Sequence, residues 1–297
     1  MTQYNEVRGR KIAFIVLALL ACIWGYNWVV MKIALGYAPP FTFAAMRTGG
    51  AALFLFCLLA IFGKPMRPPV VGRMLLLALF QTTLFVSLAT LAVYIGDPGK
   101  SAILAFTMPF WVLVFAAPVL GERITRGKAI AGGLGLAGVI LILSPWTTHD
   151  NYLGMLLALG AGFDWAIAVM IAKKIPIQGT WTLLSLNAWQ ALVGAVPLAI
   201  VALAVPSSPI QWTLPFVLAL AYNVVLGTGL AWFMWLFILS RLSAGITGIS
   251  SLIIPVIGIF ADWAQLGQQP GLWEAAGAAS LVAGLGLIAW NQRQRTD

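Results

Sequence analysis

Ten apolar stretches, each about twenty residues long and nearly free of charge, decide what this chain can fold into. They cover 12–35, 41–62, 71–95, 98–120, 127–145, 150–172, 181–204, 212–238, 244–266 and 271–290. Gly and Pro punctuate the joins, as at Pro39-Pro40, Pro68-Pro69 and Ser207-Ser208-Pro209. Runs of this length cross a hydrocarbon core of about 30 Å as helices, whereas a membrane strand needs only about ten residues. The composition agrees: 61% of the 297 residues are hydrophobic and 8% are charged, more apolar surface than a soluble domain could hide. In lipid every backbone N–H and C=O needs a partner inside the chain. The expected fold is therefore an all-α membrane protein of ten transmembrane helices, with no connection long enough to hold a soluble domain.

The formal charge of +9 invites a nucleic-acid reading, but its placement argues for topology instead. With the N-terminus in the cytoplasm, all of the 17 lysines and arginines fall on the inner side except Lys100, in an outer loop, and Lys32 and Arg47, within spans. That is the positive-inside pattern of a multi-pass protein of a bacterial-type inner (plasma) membrane with both termini cytoplasmic. Arg8, Arg10 and Lys11 ahead of an apolar run ending at Cys22 imitate a secretory signal, yet the run continues to Leu35, so it reads as the first span. Cys22 and Cys57, the two cysteines, fall inside spans and are expected to pack as small apolar side chains, without a disulfide or metal spacing.

The sequence also states itself twice. "GKSAILAFTMPFWVLVFAAPVLGE" (99–122) returns, without a gap, as "GITGISSLIIPVIGIFADWAQLGQ" (245–268), setting Gly99 on Gly245, Pro109 on Pro255 and Leu120-Gly121 on Leu266-Gly267. The same register sets Gly138 on Gly284, and a slightly shorter offset sets Trp24 on Trp165 and Lys32 on Lys173. Five spans per copy is an odd number, so the second copy must enter the membrane from the opposite face. The expected organisation is a first five-helix repeat over 12–145 and an inverted second over 150–290, with short basic tails at 1–11 and 291–297. Two inverted halves around a central cavity suit alternating access.

In "ACIWGYNWVVMK" (21–32), "MPFWVLVFAAPVLGERIT" (108–125), "GLAGVILI" (135–142) and their second copies, the chain resembles the ten-helix EamA-type branch of the drug/metabolite transporter superfamily. The resemblance spans nearly the whole chain. It implies export of small metabolites through a cavity lined by the first, third, fourth, sixth, eighth and ninth spans, and is greatest to bacterial amino-acid exporters, aromatic ones included. Gln268-Gln269 stand where the first copy has Glu122-Arg123, so an ion pair at that corner would exist in one half only.

Candidate cavity residues follow from spacing. Trp24, Asn27, Trp28 and Met31 recur at three- and four-residue steps and share a face. A mid-span amide such as Asn27 needs a partner, either another helix or a substrate's polar group. Gln81 and Phe85 share a face of the third span; Tyr222, Asn223, Trp232 and Trp235 follow along the eighth. Pro109 and Pro255, equivalent and mid-span, each remove a helical hydrogen bond and are expected to kink their rods as hinges, with Met108, Trp111 and Ser251 as neighbouring cavity lining. Asp164, beside Trp165, either bonds a facing helix or binds an ammonium or a coupling proton. Arg47 and Lys32 are expected to snorkel to the surface, or to attract carboxylates at the outer mouth. Asp262 reads as interfacial. Small residues at four-residue steps, Gly127, Ala131 and Gly135 and then Ala276, Ser280 and Gly284, are expected to seat helices against each other, within the chain or in a dimer.

The expected function is a secondary transporter of small metabolites, foremost neutral or aromatic amino acids, needing no cofactor and no metal, acting as a monomer or weak dimer in contact with lipid. Efflux of drugs or lipophilic cations is the alternative within the same fold. A membrane-embedded enzyme would need a nucleophile with a base or a metal cluster, and the single histidine, His149, sits in a loop beside Asp150. A passive channel is disfavoured by the duplication and the lack of a charged ring.

Overall fold

A computed structural model describes residues 2–68, 70–96, 98–121, 125–143, 152–176, 179–266 and 271–293. Glu122, Arg123, His149, Asp150, Gln268 and Gln269 lie outside the described residues, as does the side chain of Asp262. Among the described residues all regular structure is helical, and we number twelve helices. They are α1 (Thr2–Leu35), α2 (Pro40–Ile61), α3 (Val71–Ile95), α4 (Pro98–Ala105), α5 (Met108–Leu120), α6 (Arg126–Leu143), α7 (Tyr152–Lys173), α8 (Thr180–Ala204), α9 (Leu214–Arg241), α10 (Ala244–Ser250), α11 (Ile253–Leu266) and α12 (Leu272–Arg293). Among the described residues eight stretches are long and apolar enough to cross a membrane, α4–α5 and α10–α11 each counting as one broken rod. Helix α1 starts at Thr2, so the segment read as a basic tail continues the helix.

The halves carry the same irregularities at matching places. In α3 the backbone widens into a π turn over Ala78–Leu84, and in α9 it does so over Asn223–Leu230. The rod α4–α5 is interrupted at Phe106-Thr107 and the rod α10–α11 at Ser251-Leu252. Pro109 and Pro255 stand just after these breaks, in the first turn of α5 and of α11. The expected mid-rod kinks are thus breaks. A proline in a first turn forfeits no ladder bond, because that N–H has no intrahelical partner anyway. The turn at the second break is closed by the Ser251 hydroxyl, which donates to Gly248 O at 2.7 Å. Gly248 lets the two broken rods meet, since a Cβ there would lie 3.3 Å from Pro109 Cα.

Most principal neighbours come from the other half of the chain. Helix α2 packs on α8 and α6 on α12; α1 packs on α9 and α11, as α7 packs on α3 and on α4–α5. Glycines set the closest approaches. Gly50 of α2 meets Val224 in the π turn of α9, and Gly194 of α8 meets Thr82 in the π turn of α3. The small-residue ladders face each other within the chain: Gly138 abuts Gly277 O, Gly284 abuts Ala131 O, and Ser280 Oγ donates to Leu134 O at 2.8 Å. Cys22 and Cys57 are not packed inside but exposed on the outside of the bundle, where α1 and α2 turn their apolar backs to the surroundings.

The two ends of the bundle differ. At one end a groove of about 590 Å³ opens between the Gly36–Pro40 turn, Tyr94 and the Val205–Pro209 loop. At the other, side chains tie the helix ends together. Lys173 Nζ donates to Leu239 O and Leu242 O, both at 2.8 Å, capping the carbonyl end of α9. Arg73 donates to Lys174 O, and Ser185 Oγ donates to Arg67 O at 2.7 Å.

The α6–α12 seam yields a test. A Cβ on Gly138 would fall 2.8 Å from the backbone oxygen of Gly277, whereas one on Gly133 would meet nothing within 4 Å. Gly138→Ala should destabilise the protein by about 1–3 kcal/mol, as an overpacked contact does. Gly133→Ala should be neutral or stabilising by up to ~1 kcal/mol. Thermal unfolding in detergent separates the two; equal midpoints would show that the halves do not close on this seam.

Candidate functional site

At the middle of the bundle six aromatic rings from both halves of the chain form one cluster. Trp24 of α1 lies 5.4 Å from Trp165 of α7 and 4.9 Å from Trp232 of α9, centroid to centroid. Phe85 of α3 is 5.1 Å from Trp165 and 5.6 Å from Trp232. Phe106, in the break between α4 and α5, is 5.4 Å from Trp165, and Trp235 closes the far side at 5.0 Å from the same ring. Nearly all are edge-on or tilted, the arrangement ring quadrupoles prefer, worth about 0.5–1.5 kcal/mol per pair beyond area burial.

The cluster encloses a small cavity of about 30 Å³, lined by Trp24, Asn27, Trp28, Met31, Arg47, Phe85, Ala89, Phe106, Trp165, Gly227 and Trp232. That is room for a water molecule or two. The periodic face of α1 supplies four of these, and all four are buried. The π turn of α9 supplies the backbone that receives them. A π turn inserts a residue and takes carbonyls off the regular ladder. Trp24 Nε1 donates to Gly227 O at 3.0 Å, and Asn187 Nδ2 of α8 donates to Gly229 O at 2.9 Å. Gly227 cannot carry a side chain here, since a Cβ would fall 2.4 Å from Asn27 Oδ1.

Arg47 is the cation of the site. It is 4% exposed, and its Nη1 donates to Asn223 Oδ1 at 3.2 Å, while Asn223 Nδ2 donates back along its own helix to Ala219 O at 3.0 Å. The guanidinium also lies 5.8 Å from the centroid of the Phe43 ring. Its Nε has no partner, nor have Asn27 Oδ1 and Trp165 Nε1 on the same cavity wall. The expectation that Arg47 snorkels to the surface is overturned. Its guanidinium is drawn inward by the hydrogen bond to Asn223 of α9. Lys32, by contrast, is exposed.

Of the residues singled out from the sequence, Trp24, Asn27, Trp28, Met31, Arg47, Phe85, Trp165 and Trp232 meet at the cavity. The remaining candidates are not part of its lining. Gln81 is buried without a partner for its amide, Met108 is fully buried, and Ser251 closes the turn between α10 and α11. Trp111 is half-buried against Phe163 at 5.2 Å. Tyr222 donates its hydroxyl to Ile23 O at 2.8 Å, tying α9 to α1, and Asn223 braces Arg47. Asp164 is 5% exposed, and its Oδ2 has no partner. Phe106 is the ring that the spacing did not single out, and Arg47 is the residue it placed elsewhere; the three-residue step from Phe106 to Pro109 was the available signal for Phe106.

The Asn27–Gly227 contact can be tested by a double-mutant cycle. Gly227→Ala should cost about 1–3 kcal/mol, and adding Asn27→Ala should recover most of that. The coupling read from thermal unfolding should be about 1 kcal/mol or more; strictly additive losses would mean that the amide does not rest on this glycine.

Comparison with known proteins places this architecture. The EamA-like transporter family matches residues 11–144 and 152–290. An uncharacterized transporter of Bacillus subtilis, YvbV, is 32% identical over 282 residues, covering 92% of this chain and 90% of its own. A probable amino-acid metabolite efflux pump of Escherichia coli is 29% identical over 294 residues, covering 94% and 96%. A solved crystal structure superposes with a TM-score of 0.77 over 97% of this chain and 99% of its own at 18% identity, a likeness of fold. The chain belongs to the EamA-like transporter family of the drug/metabolite transporter superfamily, and is a multi-pass membrane transporter.

Proposed function

We propose that this protein exports small amphipathic metabolites, foremost neutral and aromatic amino acids, by alternating access across a bacterial-type inner membrane. The observation that carries the reading is the central box of rings built jointly by the two halves, with one cation and one free amide oxygen on its wall. An apolar wall with a few convergent polar groups suits a ligand with one greasy and one polar end. Two relatives bear the name of probable amino-acid metabolite efflux pumps, which points the same way.

In this reading ten helices cross the membrane as two inverted halves, 12–145 and 150–290, with both termini in the cytoplasm. Support comes from the pattern of neighbours: exchanging the halves turns the α1–α9 and α1–α11 contacts into those of α7 with α3 and with α4–α5. A bundle with that symmetry can adopt the same packing opened to either side. The cavity of about 30 Å³ is too small for an amino acid, so in this reading the rings must part to admit one. Parting a few ring pairs to admit substrate costs a few kcal/mol at about 0.5–1.5 each, within reach of what a bound substrate returns. The groove of about 590 Å³ marks the end that would open first, opposite the end tied by Lys173.

The ring box would also suit lipophilic cations, but a buried guanidinium on its wall opposes them. Asp164, buried beside Trp165 with Oδ2 unpartnered, is the residue through which a proton could be coupled.

Proteoliposomes preloaded with amino acids should show counterflow of labelled phenylalanine or leucine in preference to a cationic dye. Trp165→Ala and Asn27→Ala should slow it about tenfold or more while leaving the purified protein folded; normal flux in both would remove these side chains from the site. For coupling, an imposed pH gradient should drive export by the wild type and not by Asp164→Asn, and a gradient without effect on the wild type would end that part of the reading. Single cysteines at the two tails, in a background lacking Cys22 and Cys57, should react only with reagents that reach the cytoplasm; labelling from opposite faces would rule out the ten-helix topology.

A further inference from the structure

We infer that Arg47 is the carboxylate-binding residue of the central cavity, and that the free oxygen of Asn27 receives the ammonium of the same ligand. The inference rests on the transport reading above and sharpens it, because it makes the protein a reader of α-amino acids rather than of amphipathic molecules at large.

The argument begins with cost. An arginine at the depth of a membrane helix is expensive, by about 2.5–3.5 kcal/mol on insertion scales, and buried charges are ordinarily paired. Arg47 is 4% exposed, yet among the described residues its hydrogen-bonded partner is the neutral amide of Asn223, and the centroid of the Phe43 ring lies 5.8 Å from the guanidinium. Among the described residues no carboxylate forms an ion pair with it. A guanidinium carries five N–H donors in a planar fork matched to a carboxylate. Asn223 takes one of them, from Nη1, and fixes the fork's rotation, while Nε has no partner. A purely structural clamp would have its donors consumed; this one is braced on one side and left open on the other. Arg47 belongs to the wall of the ring-lined cavity.

Asn27 supplies the complement. Its Oδ1 is buried, unpartnered and part of the same wall, and it rests over the Cα of Gly227, whose lack of a side chain makes room for it. A cation-donating fork and an amide acceptor on one wall, facing indole and phenyl rings, match the carboxylate, ammonium and side chain of an apolar amino acid. They match neither a simple amine nor a lipophilic cation.

Three ligands with one ring and different charges test this: phenylalanine, phenylpropionate, which keeps only the carboxylate, and phenethylamine, which keeps only the ammonium. Binding to purified full-length protein would be read from the fluorescence of the cavity tryptophans, and exchange from counterflow in proteoliposomes. The wild type should favour phenylalanine, then phenylpropionate, with phenethylamine weakest by at least about tenfold, the worth of a hydrogen bond to a charged group. Arg47→Gln should raise the half-saturating concentration of both carboxylates about tenfold or more and leave phenethylamine unchanged. Arg47→Lys, which keeps charge and loses the fork, should fall between. Phenylalanine exchange unaffected by Arg47→Gln, or all three ligands weakened equally, would overturn the inference while leaving amino-acid export standing. A wild type that takes phenethylamine as well as phenylalanine would overturn it even if Arg47→Gln does not fold. Transport of a cationic dye with no response to any of the three would remove the amino-acid reading and the inference together.

Discussion

A membrane offers the backbone no water, and this single constraint organises the molecule. Any departure from a regular helix releases carbonyls that only another part of the chain can receive. Among the described residues, besides the interior prolines Pro118 and Pro197, the departures are π turns in α3 and α9 and breaks between α4 and α5 and between α10 and α11. Carbonyls of the π turn of α9 accept from Trp24 and Asn187, and the hydroxyls of Thr107 and Ser251 close the two breaks, while Thr83 in the π turn of α3 donates outward, to Gly194 O of α8 at 3.0 Å. The site lies where the backbone is irregular because polar atoms can be gathered there.

Lipid also removes the hydrophobic incentive for helices to associate, so close packing must supply the cohesion. Glycines therefore sit where backbone meets backbone or side chain meets backbone, as at Gly138, Gly162 and Gly284. A Cβ on Gly162 would fall 2.7 Å from Thr107 Oγ1 and 2.9 Å from Ala105 O, so α7 runs directly over the first break and sets Trp165 against Phe106. Packing of the seam and placement of the ring box are thus one arrangement.

Much of this was legible in the chain. Apolar runs and joining glycines and prolines gave the rods, and the repeat that equates Trp24 with Trp165 singled out two rings that do meet, 5.4 Å apart. What stayed hidden has physical reasons. Pro109 and Pro255 announce an irregularity without saying whether the rod bends at the proline or breaks just before it. The π turns carry polar residues and glycines, Gln81 to Thr83 and Asn223 with Gly227 to Gly229, but the same residue types also sit in regular stretches of these helices, so composition does not announce them. Arg47 could be drawn to water or inward with the same sequence, and the choice depended on Asn223, far away in the chain, turning toward it. Cys22 and Cys57 look like core residues because the outside of this bundle is as apolar as its inside.

The rings and the polar groups of the cavity obey different rules. The register that matches Trp24 to Trp165 matches Asn27 to Ala168, fully buried and apolar. The contacts of Gly50 with one π turn and Gly194 with the other set Arg47 against Ala191, likewise buried and apolar. The aromatic walls are therefore shared between halves, whereas the polar groups belong to one side only. A two-fold box would accept a ligand in either of two opposed orientations. If Arg47 and Asn27 take the polar head as inferred above, that asymmetric pair would break the degeneracy and leave such a ligand one way to lie, head toward the α1–α2 side.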